Sequence, residues 1–96
     1  MGKILVVDDD DSIRLMVERV LRRANYEVDA ARDGLEAIEK LSRNDYSAIL
    51  LDLMMPRIDG FGVLDYLEEH RPELEPAVIV MSANLPAATD AARERN

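Results

Sequence analysis

The sequence predicts a doubly wound α/β domain built on a parallel sheet. Three observations predict it. The apolar run Ile4-Leu5-Val6-Val7 stops at Asp8-Asp9, and the run Ala48-Ile49-Leu50-Leu51 stops at Asp52. Stretches of helical periodicity separate the apolar runs, giving the order β-α-β-α-β-α-β-α with short connections. Strands that alternate with helices pair in parallel, with helices on both faces of the sheet.

The first strand is Ile4-Leu5-Val6-Val7, ending at Asp8-Asp9-Asp10-Asp11. The first helix follows, with Ile13, Met16, Val17, Val20, Leu21 and Ala24 on its expected buried face. Arg14, Glu18, Arg19, Arg22 and Arg23 take the opposite face, and Asp11 or Ser12 is the expected N-cap. Tyr26, Val28 and Ala30 alternate through a short, half-exposed second strand. Asp33 then caps a second helix, with Glu36 in the capping-box position and Leu35, Ile38 and Leu41 facing inward.

The third strand begins near Tyr46 and runs to Asp52, after which Pro56 and Gly60 shape a loop. A third helix carries Phe61, Leu64 and Leu67 on one stripe, with Val63 beside it. Pro72 and Pro76 bracket a loop before the fourth strand, Ala77-Val78-Ile79-Val80-Met81-Ser82-Ala83. A last helix opens at Asn84-Leu85-Pro86.

Composition narrows the function. The 96 residues include 20 acidic and 12 basic side chains, a net charge of −8, which argues against binding a nucleic-acid backbone. Without cysteine there is no disulfide framework, thiolate metal site or catalytic thiol. No apolar run approaches the ~20 residues that a membrane-spanning helix needs.

In a parallel sheet all carboxyl ends lie on one edge, and function in such folds sits just outside that edge. In the flavodoxin-like strand order, here 2-1-3-4, strands one and three are neighbours. Asp8, Asp9 and Asp52 then converge in one pocket. Like charges so close must hold protons, move apart or bind a cation, and an all-oxygen donor set selects Mg²⁺. A carboxylate beside Mg²⁺ can attack a phosphoryl group and form an aspartyl phosphate. Ser82, ending strand four, is either a donor to such a group or a strand-end cap.

These residues carry a resemblance that runs over essentially the whole chain. Ile4-Leu5-Val6-Val7-Asp8-Asp9, Leu51-Asp52 with Met55-Pro56 and Asp59-Gly60, and Val80-Met81-Ser82-Ala83 together resemble the receiver domain of two-component response regulators. The resemblance implies a regulatory phosphoacceptor in the cytoplasm rather than an enzyme with a separate substrate. Asp52 is then the phosphoacceptor, and Asp9, Asp8 and the backbone carbonyl of Met54 join it as ligands of Mg²⁺. Ser82 and Ala83 form the switch, and Pro56 and Gly60 shape the loop after the acceptor. A sensor histidine kinase or a phosphotransfer protein supplies the phosphoryl group, docking on the loops around the site and on the first helix.

The resemblance has one gap. The family continues into a fifth strand, bearing a lysine and an aromatic residue, and a fifth helix. This sequence stops at Arg93-Glu94-Arg95-Asn96, and its two lysines, Lys3 and Lys40, lie elsewhere. The expectation is one receiver domain over residues 1–96, truncated before the fifth strand. Strand four then becomes an apolar edge, which predicts a homodimer through residues 78–81.

Two other functions compete. The fold can persist as an interaction or dimerisation module that takes up no phosphoryl group. The spacing Asp8-x-Asp10-x-Ser12 is also similar to the nucleophile loop of haloacid-dehalogenase-type phosphatases, with Asp8 as nucleophile. Those enzymes need a downstream lysine and further acids that this sequence lacks.

Overall fold

Residues 2–53 and 59–81 are described by a computed structural model of the chain. Their order is β1 (Lys3–Val7), α1 (Asp11–Arg23), β2 (Glu27–Ala31), α2 (Gly34–Leu41), β3 (Ala48–Asp52), α3 (Gly60–His70), a 3-10 turn (Pro72–Ala77) and β4 (Val78–Met81). The strands form one sheet in the order β2-β1-β3-β4, every pair parallel, as the alternation of elements predicts. The helix expected from Asn84 onward lies outside the described residues.

The central strands are apolar on both sides because both sides are covered. Leu5, Val7, Ile49 and Leu51 pack with Ala37, Leu41, Val63 and Leu67 of α2 and α3. Ile4 and Val6 of β1 pack with Val28 on the opposite face, where Val17 and Leu21 of α1 close over them. Leu51 is fully buried, and its truncation to Ala costs about 2–5 kcal/mol. A slip of one residue would turn Leu51 to the opposite face and draw Asp52 into the core, so burial holds the register that presents Asp52 at the strand end.

Helix α1 sits differently from its predicted orientation. Val17 and Leu21 face the sheet as expected, but Ile13, Met16 and Val20 are exposed, Met16 and Val20 by about 60%. Arg14, expected in solvent, is the buried residue of this helix. The apolar stripe is wider than the contact, and the sheet takes its edge through positions 14, 17 and 21. The N-cap is Asp10, one residue before the expected pair, and its carboxylate accepts the amide of Ile13 at 3.1 Å. At the other end Asn25 adopts the left-handed conformation, φ 71°. The amides of Asn25 and Tyr26 donate back to the carbonyls of Arg22 and Leu21, at 3.0 and 3.1 Å. This double closure satisfies carbonyls that the helix end would otherwise leave open.

Asp33 caps α2 as predicted, accepting the Glu36 amide at 2.8 Å. Leu35 departs from expectation, being half exposed, while Gly34, Ala37 and Leu41 are buried. In α3 the buried set is Gly60, Val63 and Leu67, with Phe61 and Leu64 only partly covered. The expected proline-bracketed loop is a 3-10 turn that inserts Leu74 into the core. Among the described residues β4 is the outer strand, with Ile79 and Val80 54% and 43% exposed.

Candidate functional site

Register brings the site together. Val7 of β1 pairs with Leu51 of β3, so the next residue on each chain segment, Asp8 and Asp52, stands at the same level at the carboxyl edge of the sheet. Asp9 follows Asp8 into the turn toward α1. One carboxylate oxygen from each of Asp8, Asp9 and Asp52 lies within 4.8 Å of the others. These are the three carboxylates that the sequence predicts to converge. Met54, Pro56, Ser82 and Ala83 lie outside the described residues.

The turn from β1 to α1 is tied down at Asp8. Its amide donates to the carbonyl of Ala31 at 3.1 Å. Its carboxylate Oδ1 accepts the amide of Asp10 at 2.9 Å, and its carbonyl accepts Nη1 of Arg14 at 3.0 Å. Arg14 also pairs with Asp11 through Nη2, at 2.5 Å. The sequence reading missed Arg14. The available signal was its place between Ile13 and Leu15, three residues after a four-acid run.

Asp8 is only 4% exposed, whereas Asp9 is exposed. Burial raises the carboxyl of Asp8 above its ordinary value. The hydrogen bond from the Asp10 amide opposes this, the charges of Asp9 and Asp10 add to it, and a hydrogen bond with Asp52 works against it. With all three charged and within 4.8 Å, each pair repels by at least about 3 kcal/mol at an effective dielectric near 20. The pocket is therefore poised for a cation. Its donors are hard carboxylate oxygens, without nitrogen or sulfur, which suits Mg²⁺.

Gly60 brings the start of α3 against the strand end. Its amide donates to the carbonyl of Leu53 at 3.1 Å. A Cβ at position 60 would lie 2.4 Å from the Cα of Leu53 and 2.6 Å from the carbonyl oxygen of Asp52. Only glycine lets the two backbones approach so closely. Asp59 caps α3 by accepting the amide of Gly62 at 3.1 Å.

Asp10, by contrast, spends its side chain on the N-cap of α1, and Ser12 is exposed on that helix. The Asp8-x-Asp10-x-Ser12 spacing thus does not gather these side chains into one site.

Fold and site together define a doubly wound α/β domain with an acidic pocket at the carboxyl edge of its parallel sheet. The profile of the response regulator receiver domain matches residues 4–94. The chain belongs to this family. It is 41% identical over 82 residues to the transcriptional regulatory protein SrrA of Staphylococcus aureus, covering 85% of this chain and 33% of that protein. It therefore spans about a third of the curated relatives' length.

Among solved structures, the receiver domain of the Francisella response regulator 1452 superposes with a TM-score of 0.78 at 32% identity, covering 88% of this chain and 68% of that one. The response regulator TrrA of Thermotoga maritima, solved with Mg²⁺ and BeF, superposes at 0.72 with 26% identity over 98% of both chains. No helix among the described residues is long and apolar enough to cross a membrane.

Proposed function

We propose that the chain is a cytoplasmic phosphoacceptor that takes a phosphoryl group onto Asp52 and passes the change to an output. The observation that carries this is the convergence of Asp8, Asp9 and Asp52 within 4.8 Å. Asp8, Asp9 and Asp52, with the backbone carbonyl of Met54, would hold Mg²⁺. When bound, the cation offsets the repulsion between two anions and neutralises charge developing on the phosphoryl oxygens.

The acceptor step is an in-line displacement. A carboxylate oxygen of Asp52 attacks phosphorus as the bond from phosphorus to the donor's imidazole nitrogen breaks. That nitrogen keeps the electron pair and takes up a proton. Asp8 and Asp9 do not react; they would hold the cation beside Asp52. Gly60 and Pro56 shape the loop that follows the acceptor. Ser82 and Ala83 are the proposed switch, the hydroxyl meeting the phosphoryl group and the small neighbour leaving room for it. The donor is a sensor histidine kinase or a phosphotransfer protein. Among the described residues β4 is the outer strand, with Ile79 and Val80 exposed, and pairing with a second copy along it belongs to the proposal; light scattering at high concentration would detect it.

Intact mass spectrometry after incubation with acetyl phosphate tests the acceptor role. One added phosphoryl group is expected with Mg²⁺, and none with excess chelator or in Asp52→Asn. A protein that binds Mg²⁺ yet never gains the mass is an interaction module without phosphoryl chemistry, and the proposal falls.

A further inference from the structure

We propose that Arg14 is a positioning residue that sets the pocket's affinity for a divalent cation. The inference rests on the Mg²⁺ reading of the three carboxylates.

A buried guanidinium is expensive unless its donors are used. The side chain of Arg14 is 9% exposed, and its donors reach two acceptors in the turn that carries the site. Nη1 bonds the carbonyl of Asp8 at 3.0 Å, and Nη2 bonds the carboxylate of Asp11 at 2.5 Å. The first matters more, because that carbonyl belongs to the peptide joining Asp8 to Asp9. Holding it holds the angle at which the two carboxylates leave the backbone.

Besides its hydrogen bond with Asp52, Asp8 is anchored in the turn through its amide to Ala31, its carboxylate to the Asp10 amide and its carbonyl to Arg14. Two of these anchors involve only backbone partners. Arg14 is the side chain whose removal loosens the turn while leaving every carboxylate in place. It also joins the turn to α1, so the seat of that helix is felt at the metal pocket. In metal sites, residues that orient the ligands commonly contribute 10–100-fold to affinity.

Helix α1 supplies its own control. Arg22 makes the same kind of bond, Nη2 to the carbonyl of Val28 at 3.2 Å, but at the opposite end of the helix. Its loss costs packing and a hydrogen bond without touching the pocket.

The test compares wild type, Arg14→Met, Arg14→Lys and Arg22→Met in two readouts. The first is Mg²⁺ affinity from amide NMR shifts. The second is hydrogen exchange of the Asp10 amide in metal-free protein, referenced to the core amide of Leu51. Arg14→Met should weaken Mg²⁺ binding by roughly tenfold or more and speed Asp10 exchange relative to Leu51. Arg14→Lys, which keeps one donor, should recover part of both. Arg22→Met should change neither. Wild-type affinity and Asp10 protection in Arg14→Met would overturn the proposal, as would equal losses in Arg22→Met. If Arg14→Met does not fold, Arg14→Lys carries the decision: wild-type behaviour in both readouts overturns the role. If wild type itself binds no Mg²⁺, the metal reading is what fails, and Asp10 exchange alone decides whether Arg14 orders the turn.

Discussion

Asp8 and Asp52 stand side by side at the carboxyl edge of the sheet, each one residue beyond the paired Val7 and Leu51. The core creates this relationship. Val7 and Leu51 are fully buried among α2 and α3, so neither strand can slip without moving them off that core. Two anionic side chains are thus held together by apolar packing behind them.

Such a site destabilises the fold that carries it. Asp8→Asn keeps an oxygen to accept the Asp10 amide but removes one charge. It should raise the midpoint of urea unfolding at neutral pH in metal-free protein and abolish the further stabilisation expected when Mg²⁺ is added to wild type. A lower midpoint in metal-free Asp8→Asn would contradict this account.

The pH dependence has two opposite parts. Asp8 has a raised carboxyl, so the folded state binds its proton more tightly. Its contribution makes stability fall as pH rises above the ordinary carboxylate value of 3.8 toward the raised one. Asp29 behaves in reverse. Burial would raise it, but the hydrogen bonds from the Tyr46 hydroxyl, at 2.7 Å, and from Lys3 outweigh that and lower it. Its contribution is present above 3.8 and lost as pH falls through the lowered value. Acid unfolding series of Asp8→Asn and Asp29→Asn should therefore diverge from wild type in opposite directions. Tyr46→Phe should cost about 1–2 kcal/mol by urea unfolding, because it removes a donor to a charged acceptor.

Gly60→Ala should be costly for its size. The added methyl meets backbone at Leu53 and Asp52 rather than a movable side chain. The expected loss is about 1–3 kcal/mol in urea unfolding, with weaker phosphoryl uptake because the strand end carrying Asp52 is pushed aside. Wild-type stability would show that α3 can shift freely.

Asn25 stands where helix α1 closes in the left-handed conformation. Asn25→Gly should hold or slightly raise stability, and Asn25→Val should lower it by about 1–2 kcal/mol. Thermal unfolding of the two variants measures the difference.

Most of the fold was legible because strand and helix patterns are local. The apolar runs and the Asp33 cap follow from spacing, and the β2-β1-β3-β4 order is that of the flavodoxin-like fold to which the alternation of elements points. The three carboxylates were legible for the same reason: Asp8 and Asp52 each end an apolar run, and Asp9 follows Asp8. The seat of α1 was not. Its apolar stripe is wider than the sheet contact, and periodicity does not say which edge of a wide stripe is buried. Met16 and Val20 consequently lie exposed while Arg14 is covered. Burial of Arg14 depends on a carbonyl at the end of β1, an acceptor that every residue carries and no sequence motif marks. The 3-10 turn was hidden too, since Pro72 and Pro76 signal a loop while Leu74 between them enters the core.

The most direct test locates the phosphoryl group. Protein incubated with acetyl phosphate and Mg²⁺ is reduced with borohydride, which converts an aspartyl phosphate to homoserine, and the site is mapped by peptide mass spectrometry. The account predicts conversion at position 52 alone, absent when Mg²⁺ is chelated. Conversion at Asp8 or Asp9 with position 52 unchanged would contradict it.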